Sequence, residues 1–174
     1  MGQHYGGGIV MFILQPGDKG YDSSIPHGLI VAPQDQNLTN SENQKKGIPW
    51  GTGGNDEDTH EKRSMKKTGA SGTTVGTGLA NTKVIISRFG EGNYAAWICH
   101  SLTLGGYKDW YLPSKDELFV IKVNQEQIGG FLDGAYWSSS ELDNGNAWTV
   151  DLKHGNEQAY SKNEALKVRA IRSF

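Results

Sequence analysis

Residues 105–118 read GGYKDWYLPSKDEL. Ser114 and Glu117 stand at the spacing of a capping box, in which the serine side chain and the glutamate carboxylate each take up a backbone N–H left unpaired by the first helical turn. A helix therefore starts just after Ser114. Leu118, Ile121 and Gln125 continue it, and Ile128-Gly129-Gly130 ends it. On the other side, Gly105-Gly106 closes a preceding helix.

Working upstream, two more helices are expected. Asn93 caps the nearer one, with Ala95, Trp97, Ile98, Leu102 and Leu104 supplying apolar surface. Asn81 or Thr82 caps the farther one, with Val84, Ile85, Ile86 and Phe89 on its apolar side and Gly90 at its end. Before these lies a polar stretch, residues 34–74, carrying Lys45-Lys46, the acidic cluster around Asp56, Glu57 and Asp58, and Lys66-Lys67. Only Ile48 and Trp50 can anchor it, so it reads as a long loop or insertion with solvated charges. Earlier still, IVMFIL at 9–14 ends at the turn Gln15-Pro16-Gly17-Asp18, and GLIVA at 28–32 is stopped by Pro33; both read as buried strands.

Downstream, residues 136–151 read YWSSSELDNGNAWTVD. Strands are expected at 135–139 and 147–152. In the second, Trp148, Val150 and Leu152 share one face, and Thr149, Asp151 and Lys153 take the other, because strand side chains alternate. His154-Gly155-Asn156 turns the chain, a return strand begins at Glu157, and KVRAIRSF at 167–174 closes it with Val168, Ala170 and Ile171 inward. Strands, then helices, then strands make an α+β domain, with 1–174 read as a single unit.

The chain has 174 residues, 36% hydrophobic and 21% charged, enough for one domain with its own core. Its 24 glycines follow no collagen-like period and point to turns. A net charge of -2 argues against general nucleic-acid binding, which needs a basic surface. Cys99 is the single cysteine, so neither an intrachain disulfide nor a thiolate cluster can form. The longest apolar run, 8–14, is too short for membrane insertion and lacks the basic flank of a signal peptide.

Signals for catalysis are weak. Ser138, Ser139 and Ser140 lack nucleophile-elbow spacing and read as frame or turn residues. The five histidines form no metal-ligand spacing. His60 beside Asp56, Glu57 and Asp58 could trap a metal adventitiously, and 56–58 lacks the EF-hand pattern; no cofactor is expected, and structural calcium stays unassigned. Asn37-Leu38-Thr39 matches a glycosylation sequon, a match of low specificity. Trp137 and Trp148 read as core. Arg169 and Arg172 read as partners for carboxylates such as Asp109 or Glu117.

The candidates for ligand contact are the exposed positions of the last segment: Leu142, Asp143, Asn144, Asn146, Thr149, Asp151, Lys153 and His154, then Glu157, Gln158, Tyr160, Asn163 and Glu164 on the return. Tyr160 is the expected anchor, since a rigid amphipathic aromatic gains contact area at low entropic cost.

The block at 105–118, together with Ile128-Gly129-Gly130-Phe131, Tyr136-Trp137-Ser138-Ser139-Ser140-Glu141, Ala147-Trp148 and the VRAIRSF ending, resembles the Lcl C-terminal domain family, named for a bacterial collagen-like adhesin. The early GGGIV, His27-Gly28-Leu29-Ile30 and the stretch from Thr77 to Thr82 are similar too; residues 37–67 depart from it, being longer and more charged. The resemblance implies a C-type-lectin-like fold, similar in architecture to formylglycine-generating enzymes and to the variable proteins of diversity-generating retroelements. It places 136–174 where the latter carry rewritten, ligand-binding residues. The function so implied is non-catalytic binding of a protein or glycan on another cell or surface, by a cell-surface or virion protein. The alternatives are a fixed adhesin for glycans or polyanions, and an enzyme of the formylglycine-generating type, which a lone cysteine disfavours.

Overall fold

His4–Tyr5 (β1) and Gly8–Ile13 (β2) form a tight antiparallel hairpin around Gly6 and Gly7, both of which take positive φ. That backbone region is open to glycine and costly for other residues. In the computed structural model, which describes residues 1–18, 20–36, 38–39, 45–51 and 66–174, β2 pairs in turn with Gly28–Val31 (β3). The expected metal trap at Asp56, Glu57, Asp58 and His60, and the sequon asparagine Asn37, lie outside the described residues.

Two short strands, Leu38–Thr39 (β4) and Lys45–Lys46 (β5), pair with each other. The helices follow: Gly78–Phe89 (α1), Ala95–His100 (α2), Lys115–Val123 (α3) and Gln125–Ile128 (α4). Then come Ala135–Glu141 (β6), Asn146–Asp151 (β7), Glu157–Ser161 (β8) and Ile171–Ser173 (β9). The fold is α+β, with two larger antiparallel sheets in the orders β1-β2-β3-β9 and β6-β7-β8.

The inner strands of the first sheet, β2 and β3, bury side chains on both faces, which is why they are apolar without alternation, whereas β1 at the edge is exposed. Val10 and Ile30 point into a cluster with Ile48, Trp50, Ile85, Trp110, Trp137, Val168 and Ala170. Their neighbours Ile9, Met11, Leu29 and Val31 point the other way, into a cluster with Tyr111, Leu118, Ile121, Tyr136, Val150 and Ile171. Ile48 and Trp50 are fully buried, and so anchor the polar stretch as their chemistry suggested.

The capping box forms. Ser114 Oγ accepts from the Glu117 amide at 3.3 Å, and the Glu117 carboxylate accepts from the Ser114 amide at 2.7 Å. The same carboxylate takes the Gly76 N–H at 2.8 Å, and a Cβ at Gly78 would collide with it. Burial raises the Glu117 pKa, against the lowering effect of these bonds.

The other helix limits differ from expectation. α1 starts at Gly78 with Thr77 in the capping position. Asn81 and Thr82 sit inside it because their side chains serve tertiary bonds: Asn81 Nδ2 donates to Gly72 O at 2.6 Å, and Thr82 Oγ1 accepts from the Leu112 amide at 3.1 Å. α2 follows Tyr94 rather than Asn93 and ends well before Gly105. The third expected helix is broken at Asn124, whose side chain turns back to Val120 O at 2.9 Å, so α3 and α4 are separate.

Candidate binding surface

The three serines of β6 are frame. All are fully buried. The hydroxyls of Ser138 and Ser140 are committed to backbone, Ser138 Oγ donating to Trp148 O and Ser140 Oγ to Gly72 O, each at 2.7 Å, while Ser139 Oγ accepts from the Asn81 side-chain amide at 3.3 Å. The flanking indoles are tied in the same way. Trp137 Nε1 donates to Ile48 O at 2.8 Å, and Trp50 Nε1 to Ser138 O at 2.7 Å. Trp148 departs from the expected core position: it is half-buried, with Lys115 Nζ 5.9 Å from its ring, and Lys115 is itself held by Glu157 at 2.7 Å.

The thirteen expected contact residues do not form one surface. Thr149, Asp151, Gln158 and Tyr160 converge, with Gly134, Ala135 and Asn156, on a hollow of about 140 Å³ over one face of the β6–β8 sheet. Cross-strand pairing explains it, since Ala135 opposes Asp151 and Thr149 opposes Gln158. Asn156 was not among the expected residues; it lies in the turn, beyond the reach of strand alternation.

Thr149 must be corrected. It is wholly buried and spends its hydroxyl on Gln158 O at 2.9 Å, so it shapes the hollow and displays nothing. Tyr160 is half-buried against the first core cluster, and its hydroxyl donates to Gln158 Oε1 at 3.2 Å. It is a wall of the hollow with one edge in the interior. Asp151 organises the turn, accepting from the Lys153 amide at 2.8 Å, the His154 amide at 3.1 Å and His154 Nδ1 at 3.1 Å. Partial burial pushes its carboxyl up, but the His154 and backbone bonds outweigh that and hold it below its ordinary value.

A second group gathers at the opposite end of the sheet, on the β6–β7 turn. Leu142 is 44% exposed, and Asp143 and Asn144 are exposed beside it. Asp143 Oδ1 accepts from the Gly145 and Asn146 amides, each at 2.8 Å, and the Asn146 side chain bonds both carboxylate oxygens; these bonds hold its pKa low. Asn163 and Glu164 are exposed next to this turn, because Lys162 N donates to Gly145 O at 2.8 Å.

The remaining three point elsewhere. Lys153 pairs with Asp133 at 2.9 Å, and His154 joins Phe119 and Val123 around a separate hollow beside α3. Glu157 opposes Val150 on the other face from Gln158.

The arginines pair as their type predicts, with one unexpected partner. Arg172 meets Asp109 through two bonds of 2.7 and 2.8 Å. Arg169 meets Asp35, and Glu117 instead serves backbone amides. Among the described residues no group of three or more His, Cys, Asp or Glu side chains could hold a metal, and no helix is long and apolar enough to cross a membrane.

The Lcl C-terminal domain family matches residues 41–172 of this chain. A fimbrial protein from Bacteroides ovatus, known by crystal structure, shares the fold at a TM-score of 0.55 with 15% identity, covering 94% of this chain and 43% of that one. The chain thus spans less than half the length of that protein. No curated protein matches.

Proposed function

The chain belongs to the Lcl C-terminal domain family, and from that premise we propose that it is a non-catalytic recognition protein which meets its ligand on the surface of β7, β8 and their turns. The observation that carries this is the contrast within one segment. From Tyr136 to Glu141 the residues of β6 are buried, and their polar side chains hydrogen-bond within the protein, whereas Asn156, Gln158 and the β6–β7 turn present polar side chains to solvent. A rigid frame beneath exposed, replaceable side chains suits binding, because preorganisation removes an ordering cost. Fully buried serine hydroxyls, two of them donating to backbone carbonyls, are poorly placed to act as nucleophiles.

The finer reading is a C-type-lectin-like domain whose residues 136–174 are diversified by a retroelement, the ligand being a protein or glycan on another cell or surface. A fixed adhesin is the second reading, favoured by the fold shared with a fimbrial protein. The hollow suits a ligand that presents hydroxyl or other polar groups, since amides and a carboxylate surround an aromatic wall.

The test is binding to a glycan array and to displayed surface proteins, with the wild-type chain and an Asn156→Ala/Gln158→Ala variant. A ligand bound by the wild type and lost by at least tenfold in the variant, with unchanged melting, is expected. Equal binding by the wild type, by this variant and by a Leu142→Ala/Asn144→Ala variant of the β6–β7 turn would overturn the placement. Diversification is tested separately in the flanking DNA: a near-copy of the codons for 136–174, differing at template adenines beside a reverse-transcriptase gene, is the expected result, and its absence leaves the fixed adhesin.

A further inference from the structure

Lys162 is a lysine with no exposure at all, directly after β8. Its ammonium lies 2.6 Å from Glu141 Oε1, donates to Asn144 O at 3.0 Å and to Lys66 O at 3.4 Å, and sits 4.7 Å from the centre of the Trp50 ring. An ammonium has three N–H donors, so all of them are used. Glu141, the last residue of β6, is equally committed: its two oxygens accept the Thr68 amide at 2.7 Å and the Gly69 amide at 2.8 Å, and its own amide donates to Ala70 O at 2.8 Å.

We propose that this pair joins the β6–β7 turn and residues 66–70 into one composite rim that orders and opens as a unit, with Lys162 as the positioning residue. The proposal deepens the recognition reading above and rests on it.

The coupling follows from the cost of leaving a buried charge unpaired. If residues 66–70 lift away, the Glu141 carboxylate loses two charge-assisted bonds and Lys162 loses a carbonyl. The ammonium then recentres, and its hold on Asn144 O, and so on the turn carrying Leu142 and Asp143, changes with it. If the turn opens first, the same links act in reverse. A ligand that binds the ordered turn therefore also favours the ordered form of 66–70, because a shift in one equilibrium appears in the other. The ligand-facing surface extends beyond the C-terminal segment to a stretch lying about half the chain away in sequence.

Hydrogen exchange of the whole chain, free of ligand, tests this. In Lys162→Met, exchange should rise together at 66–70 and at 142–146, by at least about tenfold, while the β2 and β3 amides stay as in the wild type. Thr68→Pro removes one N–H from Glu141 at a partly exposed position, together with the local bond from the Ala70 amide to Thr68 Oγ1; exchange at 142–146 should then rise as well. The proposal is overturned if Lys162→Met alters only one of the two segments or neither, or if the effect of Thr68→Pro stays within 66–70. Should Lys162→Met not fold, Thr68→Pro decides alone. Because the readout needs no ligand, a negative result leaves the recognition reading standing, and the Asn156→Ala/Gln158→Ala binding test judges that reading independently.

Discussion

Arg169 and Asp35, 134 positions apart in the chain, form an ion pair sealed from solvent, with Arg169 Nε donating to Asp35 Oδ1 at 2.7 Å. The guanidinium also donates to Ala32 O and Gly130 O and lies over the Phe131 ring, while Tyr136 Oη donates to the other oxygen of Asp35. This knot fastens the end of β3 to the loop after α4 and to the approach to β9. Asp35→Ala strands a buried guanidinium and a buried phenol, and should cost about 3–5 kcal/mol. Urea unfolding checks it through a lower midpoint at unchanged slope.

The capping box gives a milder expectation. Ser114→Ala deletes the side-chain acceptor at the start of α3 while leaving the Glu117 carboxylate on the Ser114 and Gly76 amides. The cost should be about 1 kcal/mol, read as a fall in melting temperature of several degrees. Glu117→Ala, which orphans the buried Ser114 amide and also releases that of the exposed Gly76, should cost clearly more.

Asp109 governs part of the acid limb. The Arg172 guanidinium bonded to it holds its carboxyl below the ordinary value. A carboxyl whose folded pKa is lowered stabilises the fold above the unfolded pKa, and that contribution is lost as pH falls through the folded value. The Asp109 side chain is 56% exposed, so the effect is modest, at most about 1 kcal/mol. Asp109→Asn should therefore destabilise slightly at neutral pH, and its stability curve should merge with the wild type well below about pH 4. A deficit that persists unchanged at low pH would show that packing on Tyr107, not charge, is what Arg172 supplies.

Cys99 supplies a built-in reporter. It is fully buried, and burial raises its thiol pKa far above the ordinary value. A neutral, enclosed thiol does not react. Labelling by a thiol reagent should thus be negligible in the native protein and should track global unfolding along a denaturant series. Rapid labelling without denaturant would place a local opening at α2.

What was legible in the sequence was chiefly what is local. The Ser114–Glu117 box, the apolar runs of β2 and β3, and the turn at Gly155 each follow from residues within a few positions of one another. A carboxylate partner for each arginine could be expected, with Asp109 among the candidates, because the arginine's need for a carboxylate is general. Arg169 could not be matched to Asp35, since nothing at either position encodes the other. Asn81 and Thr82 look like caps by type, but a side chain that bonds a distant loop is unavailable to its own helix end. Thr149 fails for a related reason. Alternation correctly placed it opposite Trp148 and Val150, yet the face it occupies is covered at that point by the neighbouring strand's own backbone and side chains. Alternation fixes a side, and only the packed neighbours decide whether that side is wet.

The placement of β9 bears on how the molecule is made. β3 is an inner strand of its sheet, flanked by β2 and by β9, so residues 28–31 cannot complete their hydrogen bonding until Ile171–Ser173 has left the ribosome. All the elements between β3 and β9 must be synthesised before that edge closes. Until then an apolar strand stands open on one side, a nascent state that favours chaperone engagement over early folding.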